Sequence, residues 1–164
     1  MKRLPLSRGM YTLLDDRDFA RMSRWKWYAI AGATSHTYYA VRCDRTTGKK
    51  RLIWFHRALL GFTQPRPHVD HINRNGLDNR RRNLRTCTNA QNNMNRPPAS
   101  SNTTGLKGVH PCPNGKFQAW ARQRGKLHYL GTFTNARQAA IAYDALVRKL
   151  WGPFAWTNAA HGLL

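Results

Sequence analysis

Short runs of alternating apolar and polar residues fill the first third of the chain. Met10-Tyr11-Thr12-Leu13-Leu14, Trp25-Lys26-Trp27-Tyr28-Ala29 and Tyr38-Tyr39-Ala40-Val41-Arg42 read as strands, because a half-buried strand turns successive side chains to opposite faces. Residues 15–23 leave room for one short helix. The turn Thr46-Thr47-Gly48-Lys49 predicts a hairpin into Arg51-Leu52-Ile53-Trp54, followed by a short helix over 55–60 that Gly61 stops. From Pro65 to Asn95 the character changes: a single apolar piece at 69–72 precedes a loop rich in Asn, Arg and Gly, where chemistry commonly resides. The run Asn95-Arg96-Pro97-Pro98-Ala99-Ser100-Ser101-Asn102-Thr103-Thr104-Gly105 reads as a linker, since paired prolines end helices and small polar residues have little to bury. Beyond it, strands are expected at 108–110, 116–123 and 127–133. Ala139, Tyr143, Leu146, Val147 and Leu150 then recur at helical spacing, with Asn135 as N-cap, Gln138 as its capping-box partner and Gly152 as the stop. The pattern predicts an α+β chain: a strand-rich region at 1–50, a chemistry-bearing segment at 51–96, a linker at 97–105, and a three-stranded antiparallel sheet packed on one helix at 106–164.

Charge changes the picture most. The 164 residues carry 28 Lys and Arg against 7 acids, a net charge of +21, which points to a polyanion and first of all to nucleic acid. Every acid is an aspartate (Asp15, Asp16, Asp18, Asp44, Asp70, Asp78 and Asp144), so chemistry that needs a glutamate is excluded, the His-Glu-x-x-His metalloprotease and the zinc deaminase among it. Cys43, Cys87 and Cys112 form no paired spacing, and reduced thiols are expected. No apolar run is long enough for a signal peptide or a membrane span, so a cytoplasmic protein without membrane contact is expected.

Val69-Asp70-His71-Ile72 places a carboxylate beside an imidazole at a strand end. A hard divalent cation, Mg²⁺ or Mn²⁺, prefers oxygen ligands such as Asp70, while a neutral His71 can take a proton from water near pH 7. Downstream stand an Asn/Gly turn, Asn83-Leu84-Arg85, and Asn92 in a following short segment; upstream stands His56-Arg57. Singly, each feature is ordinary: an Asp-His pair is commonly a surface hydrogen bond, and an Asn-rich stretch is commonly a loop. In this order, over about 54–96, they resemble the His-Asn-His (HNH) endonucleases, members of the ββα-metal nucleases, and within them the homing branch found in phages and introns. The resemblance implies a site-preferring endonuclease that hydrolyses phosphodiester bonds in double-stranded DNA to 5′-phosphate and 3′-hydroxyl ends. It implies His71 as general base, Asn83 as the residue holding the turn, His56 as a supporting histidine, and Asp70 with Asn92 as ligands of one divalent ion. Asn92 stands where many relatives carry His, which favours an oxygen-preferring ion over zinc. Asn75, Asp78 and Asn79 read as turn formers. If the gene is phage-borne, the cytoplasm would be that of a bacterial host.

In the strand expected at 116–123, Phe117, Ala119 and Ala121 can face the helix, while Lys116, Gln118, Trp120 and Arg122 face away. The outward set offers the side-chain types that reach phosphates and base edges when a sheet enters a DNA groove; alternatively Trp120 is core and the cations only solvate the sheet. Gly108-Val109, Gly115-Lys116-Phe117, Tyr129-Leu130-Gly131-Thr132-Phe133 and Ala139-Ala140-Ile141-Ala142-Tyr143-Asp144, with Gly152-Pro153 and Asn158, resemble the plant Apetala-type, or ethylene-response-factor, DNA-binding domain over about 104–158. That resemblance implies DNA contacts from His110, Lys116, Trp120, Arg122 and Tyr129; Gln118 joins them by its face, and Arg124 and Lys126 flank the turn at Gly125 and reach phosphate. His110, Cys112 and Asn114 replace residues of the plant pattern, so its target sequence does not carry over. A monomeric nuclease with its own DNA-binding sheet is the leading expectation. A non-catalytic DNA-binding regulator on a degenerate nuclease fold, and an RNA-binding accessory protein, are the alternatives.

Overall fold

A computed structural model describes residues 1–32, 37–46, 48–62 and 67–164, and the chain divides into two compact units, residues 1–92 and 93–164. The expected turn residue Thr47 and the segment start at Pro65 lie outside the described residues.

In the first unit β1 (Lys2–Pro5) and β2 (Tyr11–Leu14) form an antiparallel pair, and α1 (Asp16–Met22) follows with Asp16 and Asp18 in its first turn, where the helix dipole favours acids. β3 (Tyr28–Ala31), β4 (Tyr38–Asp44) and β5 (Arg51–Trp54) make a three-stranded antiparallel sheet with β4 in the centre, and α2 (Phe55–Leu59) starts directly from β5. β6 (His68–His71) pairs antiparallel with β7 (Leu84–Cys87), and α3 (Asn89–Met94) comes next. Leu4, Leu14, Met22, Trp27, Ala40, Phe55, Leu59 and Leu84 form one core cluster, so residues 1–50 and the segment bearing Asp70 and His71 are buried against the same apolar interior.

Three elements differ from the sequence expectation. β1 precedes the first strand that the sequence predicts. The strand expected at 25–29 lies at Tyr28–Ala31 because the indoles before it are used elsewhere: Trp27 is buried and donates from Nε1 to the Met22 carbonyl at 2.8 Å, closing the end of α1, while the Arg42 guanidinium sits 5.0 Å from the Trp25 ring. β7 falls in a stretch that reads as loop; its burial does not alternate, since buried Leu84 and Cys87 flank more exposed Arg85 and Thr86, and only pairing with β6 makes it a strand.

The second unit orders its sheet β10-β9-β8, from β8 (Val109–Pro111), β9 (Phe117–Gln123) and β10 (Lys126–Phe133), against α4 (Ala136–Trp151). Asn135 caps α4 by accepting the Arg137 N–H at 2.7 Å, and Gly152 ends it at φ 54°. Arg124 (φ 49°) and Gly125 (φ 81°) both take left-handed conformations in the β9–β10 turn, the geometry whose twist suits a two-residue hairpin. The helix-to-sheet contact is made of small residues, Val109, Ala119, Ala139 and Ala140, beside a second cluster of Ala121, Tyr143 and Val147. Residues 97–105 are tied down by polar groups: Asn102 Nδ2 donates to the Leu106 carbonyl at 3.0 Å and Thr104 Oγ1 to that of Val109 at 3.1 Å. Buried Asp144 anchors the C-terminal segment by accepting from Asn158 N and Nδ2 and from Ala159 N, each at 2.9 Å.

Gly108 stands where this packing is tightest. At φ 76° a Cβ would lie 1.9 Å from Tyr143 Cδ2. Gly108→Ala is expected to destabilise the second unit by about 2–3 kcal/mol through overpacking and backbone strain together, read as a lowered denaturant midpoint followed by tryptophan fluorescence. An unchanged midpoint would mean Tyr143 moves aside without cost.

Candidate functional site

His71 ends β6 with its ring buried, and its surroundings come from three separate stretches of chain. Its Nε2 lies 3.1 Å from Asn79 Oδ1. Asn79 Nδ2 donates to Thr12 Oγ1 at 2.7 Å and to the Gly76 carbonyl at 3.4 Å, and Thr12 Oγ1 donates to the Leu77 carbonyl at 2.8 Å. A carbonyl can only accept, so Gly76 and Thr12 together fix the amide orientation, and the Asn79 oxygen must receive its proton from His71. The neutral ring therefore carries hydrogen on Nε2 and its basic lone pair on Nδ1.

Aromatic rings wall the histidine. His56, presented by α2, lies edge-on to His71 with centroids 5.0 Å apart, and Tyr39 of β4 lies 5.9 Å from His71 and 6.2 Å from His56. Gly76 allows the loop to close on this wall: a Cβ there would stand 2.5 Å from the Tyr38 carbonyl and 2.6 Å from Tyr39 Cδ1. Burial holds the His71 pKa below the ordinary imidazole value, opposed by the Asn79 bond and the charges of Asp70 and Asp78. Burial pushes His56 down to about 3, with the positive charge of a protonated His71 and of Arg57 acting in the same direction. Both rings are neutral at pH 7.

The loop from β6 to β7 is built by Asn83. Its Nδ2 donates to Asn73 Oδ1 at 2.9 Å and to the Asp78 carbonyl at 2.7 Å, its Oδ1 accepts the Asn73 N–H at 3.0 Å, and its carbonyl accepts the Ile72 N–H at 2.9 Å. The N-terminal elements then clamp the loop from outside. Leu13 exchanges backbone bonds of 2.8 Å with Leu77 and Asn79, Asp15 accepts the Arg81 N–H at 2.8 Å, and Asp18 accepts Arg81 Nε at 2.7 Å and Nη2 at 2.8 Å. The Arg81 and Arg80 guanidiniums hold the Asp18 and Asp78 carboxyls below the usual range.

Asp70 turns from the hydrogen-bond network of His71 to its cross-strand partner. Arg85 Nε and Nη2 both donate to Asp70 Oδ2, at 2.9 and 2.7 Å. Asn92 is half-buried on α3, with its N–H on the Thr88 carbonyl at 3.0 Å. Among the described residues no group of three His, Cys, Asp or Glu is placed to hold a metal ion. By their chemistry a carboxylate such as Asp70 and an amide oxygen such as Asn92 would suit a hard, largely hydrated cation and not zinc. Asn79, which the sequence reading takes as a turn former, is instead the fully buried partner of His71, and that burial at a polar position is visible only in the fold.

In the second unit the expected outward set shares the open face of the sheet. Trp120 is half-buried and stacks on His110, ring centroids 4.1 Å apart and planes 6° from parallel, so it lies outside the core. Gln118 is opposite His110 on β8 and Thr132 on β10, and Tyr129, opposite Trp120, is 55% exposed with its hydroxyl 2.8 Å from Thr132 Oγ1. Lys116, Arg122, Arg124 and Lys126 are exposed.

No family model matches the chain. Over 153 residues, 92% of this chain and 76% of the relative, it is 29% identical to a protein of Acanthamoeba polyphaga mimivirus named as an uncharacterized HNH endonuclease. The chain is similar to an HNH endonuclease. A stretch of 59 residues, 35% of the chain, is 46% identical to the dehydration-responsive element-binding protein 2D of Arabidopsis thaliana, and 58 residues are 48% identical to an ethylene-responsive transcription factor of the same plant. This chain spans only 29% and 23% of those two plant proteins. No helix among the described residues is long and apolar enough to cross a membrane.

The two buried rings give stability a definite pH dependence. An unfolded histidine binds a proton near its ordinary value of 6.5 while folded His56 refuses it until about 3. Stability is therefore expected to be level above pH 6.5 and to fall on acidification through the window below it, by up to ~1.4 kcal/mol per pH unit from His56, with His71 adding in the same sense. Asp18 and Asp78, lowered from 3.8, contribute only below that value, so urea unfolding between pH 7 and 4 reads the histidines. His56→Gln should flatten the slope.

Proposed function

We propose that the protein is a metal-dependent, site-preferring DNA endonuclease of the HNH homing kind, with a C-terminal sheet that supplies much of its DNA affinity. One observation carries the reading: a buried, neutral His71 whose Nε2 is locked by Asn79, leaving Nδ1 as the basic atom, beside the Asp70 carboxylate. A general base must be unprotonated at working pH and fixed in tautomer, and this histidine is both. Likeness over 92% of the chain to a protein named as an HNH endonuclease supports the same assignment.

In this mechanism His71 Nδ1 takes a proton from water as the water oxygen attacks phosphorus, and the P–O3′ bond breaks with the leaving 3′ oxygen protonated from solvent, giving 5′-phosphate and 3′-hydroxyl ends. Asp70 and Asn92 would hold one Mg²⁺ or Mn²⁺, which when bound supplies Lewis-acid stabilisation of charge on the phosphate and leaving oxygen. Asn83 holds the loop that carries Asn79, and Asn79 holds the ring. His56 packs on His71 without charge, so it keeps the ring in place and adds no competing proton. A second reading, a non-catalytic DNA-binding regulator, is favoured by the Asp70–Arg85 ion pair, which already occupies the carboxylate that the cation would need.

His71→Ala and Asp70→Ala are each expected to abolish Mg²⁺-dependent nicking of supercoiled plasmid while DNA binding in a gel shift survives, since the C-terminal sheet supplies much of the affinity. Retained nicking by either purified variant would refute the assignment, and absence of nicking by the unaltered protein would favour the regulator.

For the sheet, Lys116 and Arg122 are exposed and offer their charges to DNA phosphates. Lys116→Gln/Arg122→Gln should lower the slope of log K against log salt by roughly 0.9 for each phosphate that the variant no longer neutralises. A slope equal to that of the unaltered protein would remove this face from the binding surface.

A further inference from the structure

The ion pair at Asp70 is too well made to be incidental. Asp70 and Arg85 are directly opposed in the β6–β7 register, both guanidinium bonds fall on Oδ2 at 2.9 and 2.7 Å, and the side chains are only 7% and 14% exposed. We propose that Arg85 is a gate on the cation site: it holds the Asp70 carboxylate in the resting protein and yields it when a DNA phosphate offers the guanidinium a replacement anion. The inference rests on the nuclease reading and adds to it a regulatory residue.

The physics is that of exchange between ion pairs. A divalent cation arriving alone must compete with a buried guanidinium for one carboxylate, in a chain of net charge +21, and success would leave Arg85 in a largely buried position without this counter-ion. A phosphodiester accepts the same forked pair of N–H bonds that the carboxylate accepts. Phosphate binding thus frees Asp70 at the moment a cation is needed, and by linkage each of the two ligands strengthens binding of the other. Cation binding then requires substrate, so the resting site stays closed. The other aspartate–arginine pairs differ: Asp78 bonds Arg80 two residues along the same loop and Asp18 of α1 bonds Arg81, so neither spans the β6–β7 register as Asp70 and Arg85 do.

Mn²⁺ binding to the full-length protein without DNA, followed by electron paramagnetic resonance of the free ion, tests this without reference to activity. Arg85→Gln, which keeps a donor for Asp70 but removes the charge, is expected to bind Mn²⁺ about tenfold or more tightly than the unaltered protein, and Asp70→Asn/Arg85→Gln should lose that gain. Equal or weaker Mn²⁺ binding by Arg85→Gln, with a circular dichroism spectrum and melting midpoint showing that it folds, overturns the gate. Plasmid nicking by the unaltered protein, run alongside, separates the two ideas. Nicking with no gain in Arg85→Gln means that the gate alone is wrong; no nicking together with no Mn²⁺ binding by any variant overturns the nuclease reading and the gate with it.

Discussion

Everything in the first unit turns on a buried polar chain running from Thr12 through Asn79 to His71. A buried amide and hydroxyl are tolerated only when each donor and acceptor is met, and here the chain ends on the Gly76 and Leu77 carbonyls, groups with only one possible role. The consequence reaches beyond stability. Because Asn79 can present only its oxygen to the ring, the fold decides which nitrogen of His71 is basic. Any register slip of β2 against the loop would move Thr12 away and release that choice, which is why Leu13 is stitched to both Leu77 and Asn79 through the backbone.

This dependence explains why residues 1–50 share a core with the site-bearing segment. A β6–β7 hairpin with a long loop and a short helix is too small to hold a buried histidine by itself. Leu4, Leu14 and Met22 give Phe55 and Leu59 something to pack against, and the aromatic wall of Tyr39, Trp54 and His56 is assembled from two strands and a helix that enclose the ring on its other side. The second unit follows a different logic. Its helix covers one sheet face through alanines, so the larger side chains of β9, Trp120 and Arg122 among them, are left for the opposite face. Stacking of His110 on Trp120 keeps that indole ordered without burying it.

Much of this was legible in the chain. Strong periodicity gave α4 with its Asn135 cap and Gly152 stop, the three C-terminal strands, and the β5-to-α2 passage, because those elements are decided by local pattern. Asp70, His71, Asn83 and His56 stand out in the sequence through the family resemblance that their order carries. What could not be read was set by tertiary partners. β7 is a strand only because β6 lies beside it, Trp27 leaves its strand to close α1, and Asn79, indistinguishable in sequence from Asn73 or Asn75, becomes important only because Thr12, 67 residues away, reaches it. Likewise Arg85 reads as one cation among 28 until the strand register places it against Asp70.

That last point alters how the charge itself is understood. With 7 acids among 164 residues, the protein has few internal counter-ions, and the buried ones are committed: Asp18 to Arg81, Asp78 to Arg80, Asp70 to Arg85, and Asp144 to backbone and amide N–H groups around Asn158. Three arginines of the 80–85 stretch therefore bond to the protein's own carboxylates. Two of those bonds shape the loop around His71, and the third lies on the carboxylate next to it. Lys116, Arg122 and Lys126 instead stand exposed on and around the open sheet, where a polyanion can reach them. In the nuclease reading, affinity and chemistry are thus divided between the two units by where the scarce aspartates were placed.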